Sequence, residues 1–245
     1  MTKKPAYLTI DDGPTVDFEQ KLAILDQRNI PAIWFCRGDY LDARPQMAQE
    51  VIARGVILAN HSYNHPHFSQ ISLEQAYDEI RRTDAVLADL YRSAGVEWQH
   101  KFFRFPYGDK GALNQNPFTG FSGEGLMRKD SIQTCLRDLG YVQLPFADVT
   151  YPAYRQFGLL DDVDWYWTYD CREWEVWHED RSEGIDSLGK VNARMDIDSP
   201  DTWHGLNRPG SAEIILTHDH TQTTPLFEAM IDHLLTKDLD FKLPL

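Results

Sequence analysis

Cysteine, basic charge and long apolar runs are all scarce in this sequence. Its 245 residues include only three scattered cysteines, Cys36, Cys135 and Cys171, which lack metal-ligand spacing and predict reduced thiols. Lysine and arginine number 24 against 38 acidic residues, a net charge of −14. This charge argues against nucleic acid and anionic membranes as partners, because phosphate binding relies on basic patches. No stretch approaches the roughly 20 apolar residues that a membrane span requires.

The first residues of the chain predict its cellular location, and the chain length predicts the number of domains. Residues 1–5 lead directly into an apolar run, without a signal region or a small-residue cleavage site. This predicts a cytoplasmic protein, or one from which a leader has been removed. A length of 245 residues and a hydrophobic content of 42% suit one large domain, and single α/β barrels often have this size. We expect a single domain over residues 1–245, and the sequence does not indicate an oligomeric state.

Short apolar runs alternate with segments of helical period. The runs that predict buried strands are residues 6–10, 32–36, 56–59, 102–105, 141–144, 163–169, 214–217 and 241–243. The clearest helix is predicted over about 73–94, where Ser72 and Gln75 form a capping-box signature. Strands separated by helices predict an α/β fold, a distorted (β/α) barrel of seven or eight mostly parallel strands. Residues 109–129 and 145–162 break the pattern and predict long loops at the barrel mouth.

Most polar candidates stand where an apolar run stops. In a parallel α/β barrel the C-terminal strand ends converge on one face, and the active site is built there. Residues that are far apart in the sequence are therefore expected to meet. The candidates are Asp11, Asp12, His61, His65, Arg104, the segment 170–174 and His218.

The first chemistry that these residues predict is a metal site. His61 and His65 are four apart, so on one helical turn both rings would point the same way. Two imidazoles and one carboxylate suit Zn²⁺ and leave positions open for water or substrate. One of the adjacent carboxylates of Asp11 and Asp12 is then surplus. A surplus acid beside a metal predicts a hydrolase, because a metal-activated water needs a nearby base.

Five short motifs resemble, in order, those of the polysaccharide deacetylase family, the NodB-homology domain of carbohydrate esterase family 4. Thr-Ile-Asp-Asp-Gly at 9–13 is similar to the first motif, and His-Ser-Tyr-Asn-His at 61–65 to the second. Arg-Phe-Pro-Tyr-Gly at 104–108 resembles the third, and Ile-Ile-Leu-Thr-His at 214–218 the fifth. The resemblance implies the NodB-like barrel and extends over almost the whole chain.

The fourth motif, Asp-x-x-Asp-Trp, has two competing matches. Residues 161–165 fit it literally but precede the predicted strand 163–169. Residues 170–174 follow that strand but have Glu173 in place of the second aspartate. We favour the later segment, because a carboxylate at the end of the strand can reach Arg104 and one at its start would lie at the opposite end of the barrel.

The resemblance implies a catalytic set. Asp12, His61 and His65 would hold the metal, with Zn²⁺ expected and Co²⁺ or Ni²⁺ as other divalent candidates. Asp11 would be the catalytic base and His218 the general acid.

A second group of residues would support this set. Arg104, paired with Glu173 or Asp170, would keep Asp11 ionised and in place, and the backbone amide of Tyr107 would bind the oxyanion. Leu216 would line the acetyl pocket, and Trp174 offers a flat face to a sugar ring. The substrate-binding residues are thus Tyr107, Trp174 and Leu216.

These roles predict a hydrolase of carbon–nitrogen bonds other than peptide bonds, which removes acetyl groups from N-acetylated or O-acetylated sugars or polysaccharides. The nearest alternative is cleavage of a cyclic amide, imide or ureide on the same scaffold, as in an allantoinase. A non-haem iron oxygenase also uses two histidines and one carboxylate, but the α/β pattern and the extra Asp11 count against it. An inactive carbohydrate-binding module is disfavoured because base, acid and ligands are all present.

The other histidines lack such spacing, and we expect structural or surface roles for them. These are His67, His100, His178, His204, His220 and His233, with His220 the foremost exception because it is close to His218.

Overall fold

Parallel strands form the framework of the fold. The computed structural model describes residues 3–159, 161–179, 181–197, 206 and 208–245. In these residues the strands are β1 (Lys4–Gly13), β2 (Ala32–Cys36), β3 (Ile57–Asn60), β4 (Tyr169–Asp170), β5 (Glu213–His218) and β6 (Leu239–Phe241). The helices are α1 (Phe18–Gln27), α2 (Gly38–Ala43), α3 (Pro45–Ala53), α4 (Leu73–Ser93), α5 (Gly123–Asp138), α6 (Pro152–Gln156), α7 (Leu188–Met195) and α8 (Thr224–Leu234). None of these helices is long and apolar enough to cross a membrane.

The strands form a six-stranded sheet in the order β3-β2-β1-β5-β4, and β6 also pairs with β1. The predicted α/β class with a mostly parallel sheet is confirmed, since β1 pairs in parallel with both β5 and β6. The described strands number six, whereas seven or eight were predicted. Their order has two ends, so the hydrogen bonds between the described strands do not close a ring.

One compact unit comprises Met1–Ile33, Phe146–Tyr154 and Trp167–Leu245. At its centre β1 pairs with β5, and β4 pairs with the other edge of β5. The last eight residues of β1 and the first five of β5 are buried. These near-continuous apolar runs are typical of parallel strands that are covered on both faces. The strands predicted at 6–10 and 214–217 are confirmed.

A second compact unit comprises Trp34–Pro145 and Arg155–Tyr166. Its longest helix, α4, begins with the predicted capping box: Ser72 Oγ accepts from the Gln75 amide at 3.1 Å, and Gln75 Oε1 accepts from the Ser72 amide at 2.8 Å. Along the helix, Ala76 and Ile80 pack into a core with aromatic residues such as Phe103. The helix that the sequence predicts over 73–94 is confirmed. The expectation of a single domain stays a prediction.

Four predicted strands are formed only in part or not at all, and of the run 241–243 only Phe241 belongs to a strand, β6. In the run 102–105, Phe103 makes an isolated parallel bridge with Asn60. The run 141–144 makes one backbone hydrogen bond to the neighbouring segment, from the Val142 amide to the Lys101 carbonyl at 3.0 Å. Each of these two runs is followed by a proline, which lacks the N–H that a continuing ladder needs. Of the run 163–169, only the last residue belongs to a strand, β4.

The two predicted loops contain helices, which corrects the sequence prediction. Helix α5 begins at Gly123, inside 109–129, and α6 lies inside 145–162. One glycine of the first segment, Gly125, lies inside α5 and has another cause than a loop. A Cβ atom on Gly125 would lie 2.8 Å from the carbonyl oxygen of Ala112, so this glycine permits a close approach of two backbones.

Candidate active site

The carboxylates of the first unit lie at the end of β1. Asp11 and Asp12 are 3% and 8% exposed, and the parallel register pairs Asp11 with His218 at the end of β5. The Asp219 amide extends this pairing by donating to the Asp11 carbonyl at 2.8 Å. The register therefore brings the predicted base and the predicted acid to neighbouring strand ends, as expected for parallel strands.

The Asp12 carboxylate contacts His220, which the sequence analysis named only as an exception among the remaining histidines. Nε2 of His220 lies 2.8 Å from Oδ2 of Asp12. The His220 ring also stacks on His218, with ring centroids 5.4 Å apart. Metal-ligating carboxylates are commonly held by such hydrogen bonds, which orient the ligand. His220 thus belongs with the candidate site, and its position two residues after His218 was the available signal.

The predicted general acid is held in its charged form. Oε1 of Glu173 lies 3.2 Å from Nδ1 of His218 and accepts from Thr217 Oγ1 at 2.7 Å. Burial by itself would lower the pKa of His218, but the carboxylates of Glu173, Asp170 and Asp12 together outweigh it, Glu173 foremost, and raise that pKa to about 10. Conversely, although burial would raise the pKa of the Glu173 carboxyl, the His218 charge holds it below its ordinary value. Asp170 also offers a carboxylate oxygen near these two groups.

The two competing segments for the fourth motif have different surroundings. Asp170 and Glu173 accompany His218 in the first unit. In the second unit, Lys110 Nζ lies 2.8 Å from Asp162 and 3.1 Å from Asp164, and all three side chains are buried. The segment 161–165 is therefore part of a buried ion-pair network, which favours 170–174 as the functional segment. The predicted pairing of Arg104 with Glu173 or Asp170 stays a prediction.

The histidines of the second unit follow β3. His61 is buried, and its Nδ1 lies 2.8 Å from the carbonyl oxygen of Arg104. Because a carbonyl only accepts, Nδ1 carries the proton and the lone pair is on Nε2. This is the tautomer that a metal-ligating histidine with such a backbone partner adopts.

His61 and His65 approach each other through a loop instead of the helical turn that the spacing suggested. Their ring centroids are 4.9 Å apart, while Ser62 and His65 have φ values of 65° and 61°. The loop is held from α4 by Glu79, whose Oε2 accepts from the amides of Tyr63 and Asn64 at 2.9 and 2.7 Å. Sequence reasoning missed this contact of Glu79 with the candidate site, since a carboxylate on α4, 14 residues after His65, gives no local signal.

Three residues meet the requirement for a metal site. Asp12 in the first unit and His61 and His65 in the second each offer one ligand atom to a candidate metal-binding group. One carboxylate oxygen and two imidazole nitrogens are a donor set that suits Zn²⁺ and other divalent metals. The candidate metal-binding group predicted from the sequence is therefore present.

Arg104 and Tyr107 lie in the second unit. Arg104 is fully buried, with its guanidinium carbon 4.3 Å from the centroid of the Phe35 ring and its Nε donating to the Trp165 carbonyl at 3.2 Å. Tyr107 is 59% exposed, has a φ of 59° and stacks on His67 at 3.8 Å. Its assignment to oxyanion binding stays a prediction.

The remaining predicted substrate residues are in the first unit. Leu216 is buried in β5, where it is paired with Thr9 of β1 and Asp170 of β4. Trp174 is partly buried beside His178 and the guanidinium of Arg172. Their contact with a sugar stays a prediction, and His204 lies outside the described residues.

Comparison with known proteins agrees with the motifs. The model of the polysaccharide deacetylase family matches residues 1–116, which confirms the resemblance for this part of the chain. Among the relatives, a peptidoglycan-N-acetylglucosamine deacetylase of Bacillus cereus is 32% identical over 108 residues, which cover 44% of this chain and 38% of the relative. A chitooligosaccharide deacetylase of a Bradyrhizobium species is 32% identical over 109 residues, 43% of this chain and 47% of the relative. The matches thus span less than half the length of these curated relatives.

Solved structures extend the likeness in fold to the rest of the chain. A family 4 carbohydrate esterase from Streptomyces lividans, solved in complex with acetate, is similar with a TM-score of 0.62 and 22% identity. The alignment covers 99% of this chain and 94% of that one. This likeness confirms the predicted NodB-like fold.

Proposed function

We propose that this chain, whose residues 1–116 match the polysaccharide deacetylase family, is a metal-dependent hydrolase that removes acetyl groups from N-acetylated or O-acetylated sugars or polysaccharides. Relatives named as deacetylases of peptidoglycan and of chitooligosaccharide support this substrate class. One observation carries the proposal. Asp11 and His218 are register partners at the ends of β1 and β5, which supports their proposed roles as base and acid beside Asp12, the proposed metal ligand.

The proposed reaction is the attack of water on the acetyl carbonyl. Asp11 takes a proton from the water as the water oxygen bonds to the acetyl carbon, and the Tyr107 amide would donate to the developing oxyanion. His218 then donates its proton to the departing nitrogen as the carbon–nitrogen bond breaks, which leaves acetate and a free amine. Asp12, His61 and His65 would hold the metal, which when bound polarises the carbonyl and lowers the pKa of water.

The Glu173–His218 pair supports the role of acid. A general acid must be protonated before the carbon–nitrogen bond breaks, and an imidazole whose pKa is about 10 is protonated at neutral pH. The Glu173 carboxylate, the foremost cause of this shift, is only 1% exposed, and the His218 side chain is 13% exposed.

The test is release of acetate from N-acetylglucosamine oligomers, with chelation and metal add-back. We expect activity that is lost on chelation and restored by Zn²⁺. A panel of cyclic amides and ureides separates this function from the allantoinase-like one. Turnover of the cyclic substrates without acetate release would overturn the proposal.

Two isosteric variants separate the roles of the adjacent carboxylates. Asp11→Asn should keep zinc binding and lose turnover by about 100-fold or more, because a missing base typically costs 10²–10⁴-fold. Asp12→Asn should lose zinc affinity as well, since it removes a charged ligand. Zinc content after dialysis and the rate of acetate release are measured together. Retained turnover in Asp11→Asn would remove Asp11 as the base.

A further inference from the structure

A buried ion pair includes the residue that lies between His218, at the end of β5, and His220. Asp219 separates His218 from His220 in the sequence, and its Oδ1 lies 2.9 Å from Nζ of Lys21 on α1, with both side chains 0% exposed. The Lys21 ammonium also donates to the carbonyl oxygens of His220 at 2.9 Å and of His218 at 3.4 Å. One cation thus binds the middle of the loop and the backbone on either side of it.

The Asp219 carboxylate also reaches the segment that follows β1. Its Oδ2 accepts from the Thr15 amide at 2.7 Å, and its Oδ1 accepts from the Thr15 hydroxyl at 2.9 Å. A Cβ atom on Gly13 would lie 2.9 Å from Oδ2, so glycine gives the carboxylate its room. With the bond from the Asp219 amide to the Asp11 carbonyl, both backbone and side chain of Asp219 join the two segments.

These contacts fix four functional groups relative to one another. The end of β1 carries Asp11 and Asp12, the end of β5 carries His218, and the loop after β5 carries His220. A buried ion pair is costly to desolvate, and an apolar pair of similar volume often stabilises a fold as well. Stability alone therefore does not account for a charged pair at this point.

We propose that the Lys21–Asp219 ion pair positions His218 and His220 against Asp11 and Asp12. Lys21 and Asp219 act here as positioning residues, through the backbone and through Thr15. The inference rests on the proposed function for the role of His218, but its effect on Asp12 is independent of the substrate, because His220 contacts Asp12 directly.

The decisive variant is Lys21→Met combined with Asp219→Leu. Methionine and leucine keep the shapes of the two side chains and leave no unpaired buried charge, so we expect cooperative unfolding. The affinity of the metal-free protein for Zn²⁺, measured by calorimetry, should fall about 10–100-fold, as when partners of metal ligands are removed. The absorption spectrum of the Co²⁺ form should change. On N-acetylglucosamine oligomers kcat should fall about 100-fold with little change in KM, since small misplacements have this effect.

A matched control lies at the opposite end of the same two strands. Glu213, at the start of β5, is a buried carboxylate paired with Lys4 of β1 and bonded to Tyr151 and Thr168. Glu213→Gln should lower the midpoint of thermal unfolding and leave the zinc affinity and kcat of the folded protein unchanged. If the Lys21–Asp219 pair were purely structural, as the Lys4–Glu213 pair is expected to be, both variants would lose stability and keep zinc affinity and kcat.

The outcomes distinguish this inference from the proposed function. A folded double variant with wild-type zinc affinity, Co²⁺ spectrum and kcat would overturn the positioning role, and so would an equal loss in Glu213→Gln. Should the wild type release no acetate, the proposed function fails, while zinc affinity and the Co²⁺ spectrum still decide the positioning role. Should the double variant not fold, Thr15→Val removes the hydroxyl bond to Asp219 and leaves the ion pair. A smaller loss of zinc affinity, about 10-fold, is then expected, and an unchanged affinity contradicts the inference.

Discussion

Replacing Glu173 by glutamine removes the charge that keeps His218 protonated. Glutamine has the same size, and its oxygen can still accept from Thr217 Oγ1, which lies 2.7 Å from Oε1 in the wild type. Burial disfavours the imidazolium, and the Glu173 carboxylate is the first of the charges that raise the pKa of His218 to about 10. Asp170 and Asp12 follow with smaller contributions. Without Glu173 we expect the pKa of His218 to fall towards its ordinary value of 6.5.

The size of the effect depends on pH in a predictable way. At pH 8 a group of pKa 10 is about 99% protonated, and one of pKa 6.5 is about 3% protonated. If His218 is the acid, acetate release by Glu173→Gln at pH 8 should be lower than in the wild type by up to about thirtyfold. At pH 6 the protonated fraction in the variant is about three quarters, so the loss from this cause should be less than about twofold.

Two measurements check this prediction. An NMR titration of the His218 imidazole in metal-free protein gives the pKa directly, and the pH profile of kcat/KM for acetate release gives its consequence. Thr217→Val is the matched control, because it removes a hydrogen bond to Glu173 and keeps the charge. In Thr217→Val we expect the fall of kcat/KM at alkaline pH to occur close to the pH at which it occurs in the wild type. A loss in Glu173→Gln that is equal at pH 6 and pH 8 would refute the protonation argument.

The same pair makes the stability of the protein depend on pH. The raised pKa of His218 contributes stability that is complete below pH 6.5 and is lost as the pH rises through about 10. The lowered pKa of Glu173 contributes stability that is complete above its ordinary value of 4.5 and is lost as the pH falls below it. Urea unfolding should therefore show the largest difference between wild type and Glu173→Gln between about pH 4.5 and 6.5.

Two further predictions concern stability away from the proposed chemistry. Lys110→Met should lower the free energy of unfolding in urea by about 3–5 kcal/mol, because it leaves Asp162 and Asp164 buried without their shared cation, whereas zinc stoichiometry should not change. A loss below about 1 kcal/mol would mean that solvent or Lys129 replaces Lys110. Ser72→Ala removes the capping hydroxyl of α4 and should cost about 1 kcal/mol, measured by thermal unfolding, with Ser93→Ala at the other end of the same helix as its control.

The parts of the fold that the sequence predicts well are those in which burial acts on both faces of an element. The runs 6–10, 32–36 and 214–217 are strands because nearly all of their side chains are buried, which leaves an apolar run without alternation. The convergence of Asp11 and His218 follows from parallel pairing alone. Where a run has a partner over only one or two residues, as at 102–105, the same apolar signal does not produce a strand.

The candidate site is predictable in its residue types and much less in its backbone. Asp12, Ser62, His65 and Tyr107 all have φ between 59° and 70°, a region that favours glycine, yet none of them is glycine. Each such residue costs on the order of 1–3 kcal/mol and persists only where its surroundings fix it. Glu79 does this for the loop of His65, and His220 holds the side chain of Asp12. Local propensity predicts a helical turn for the two histidines because it does not include these distant contacts. The prediction fails where the chain keeps the side chain of a candidate site residue in a costly backbone conformation, and such conformations are common at functional sites.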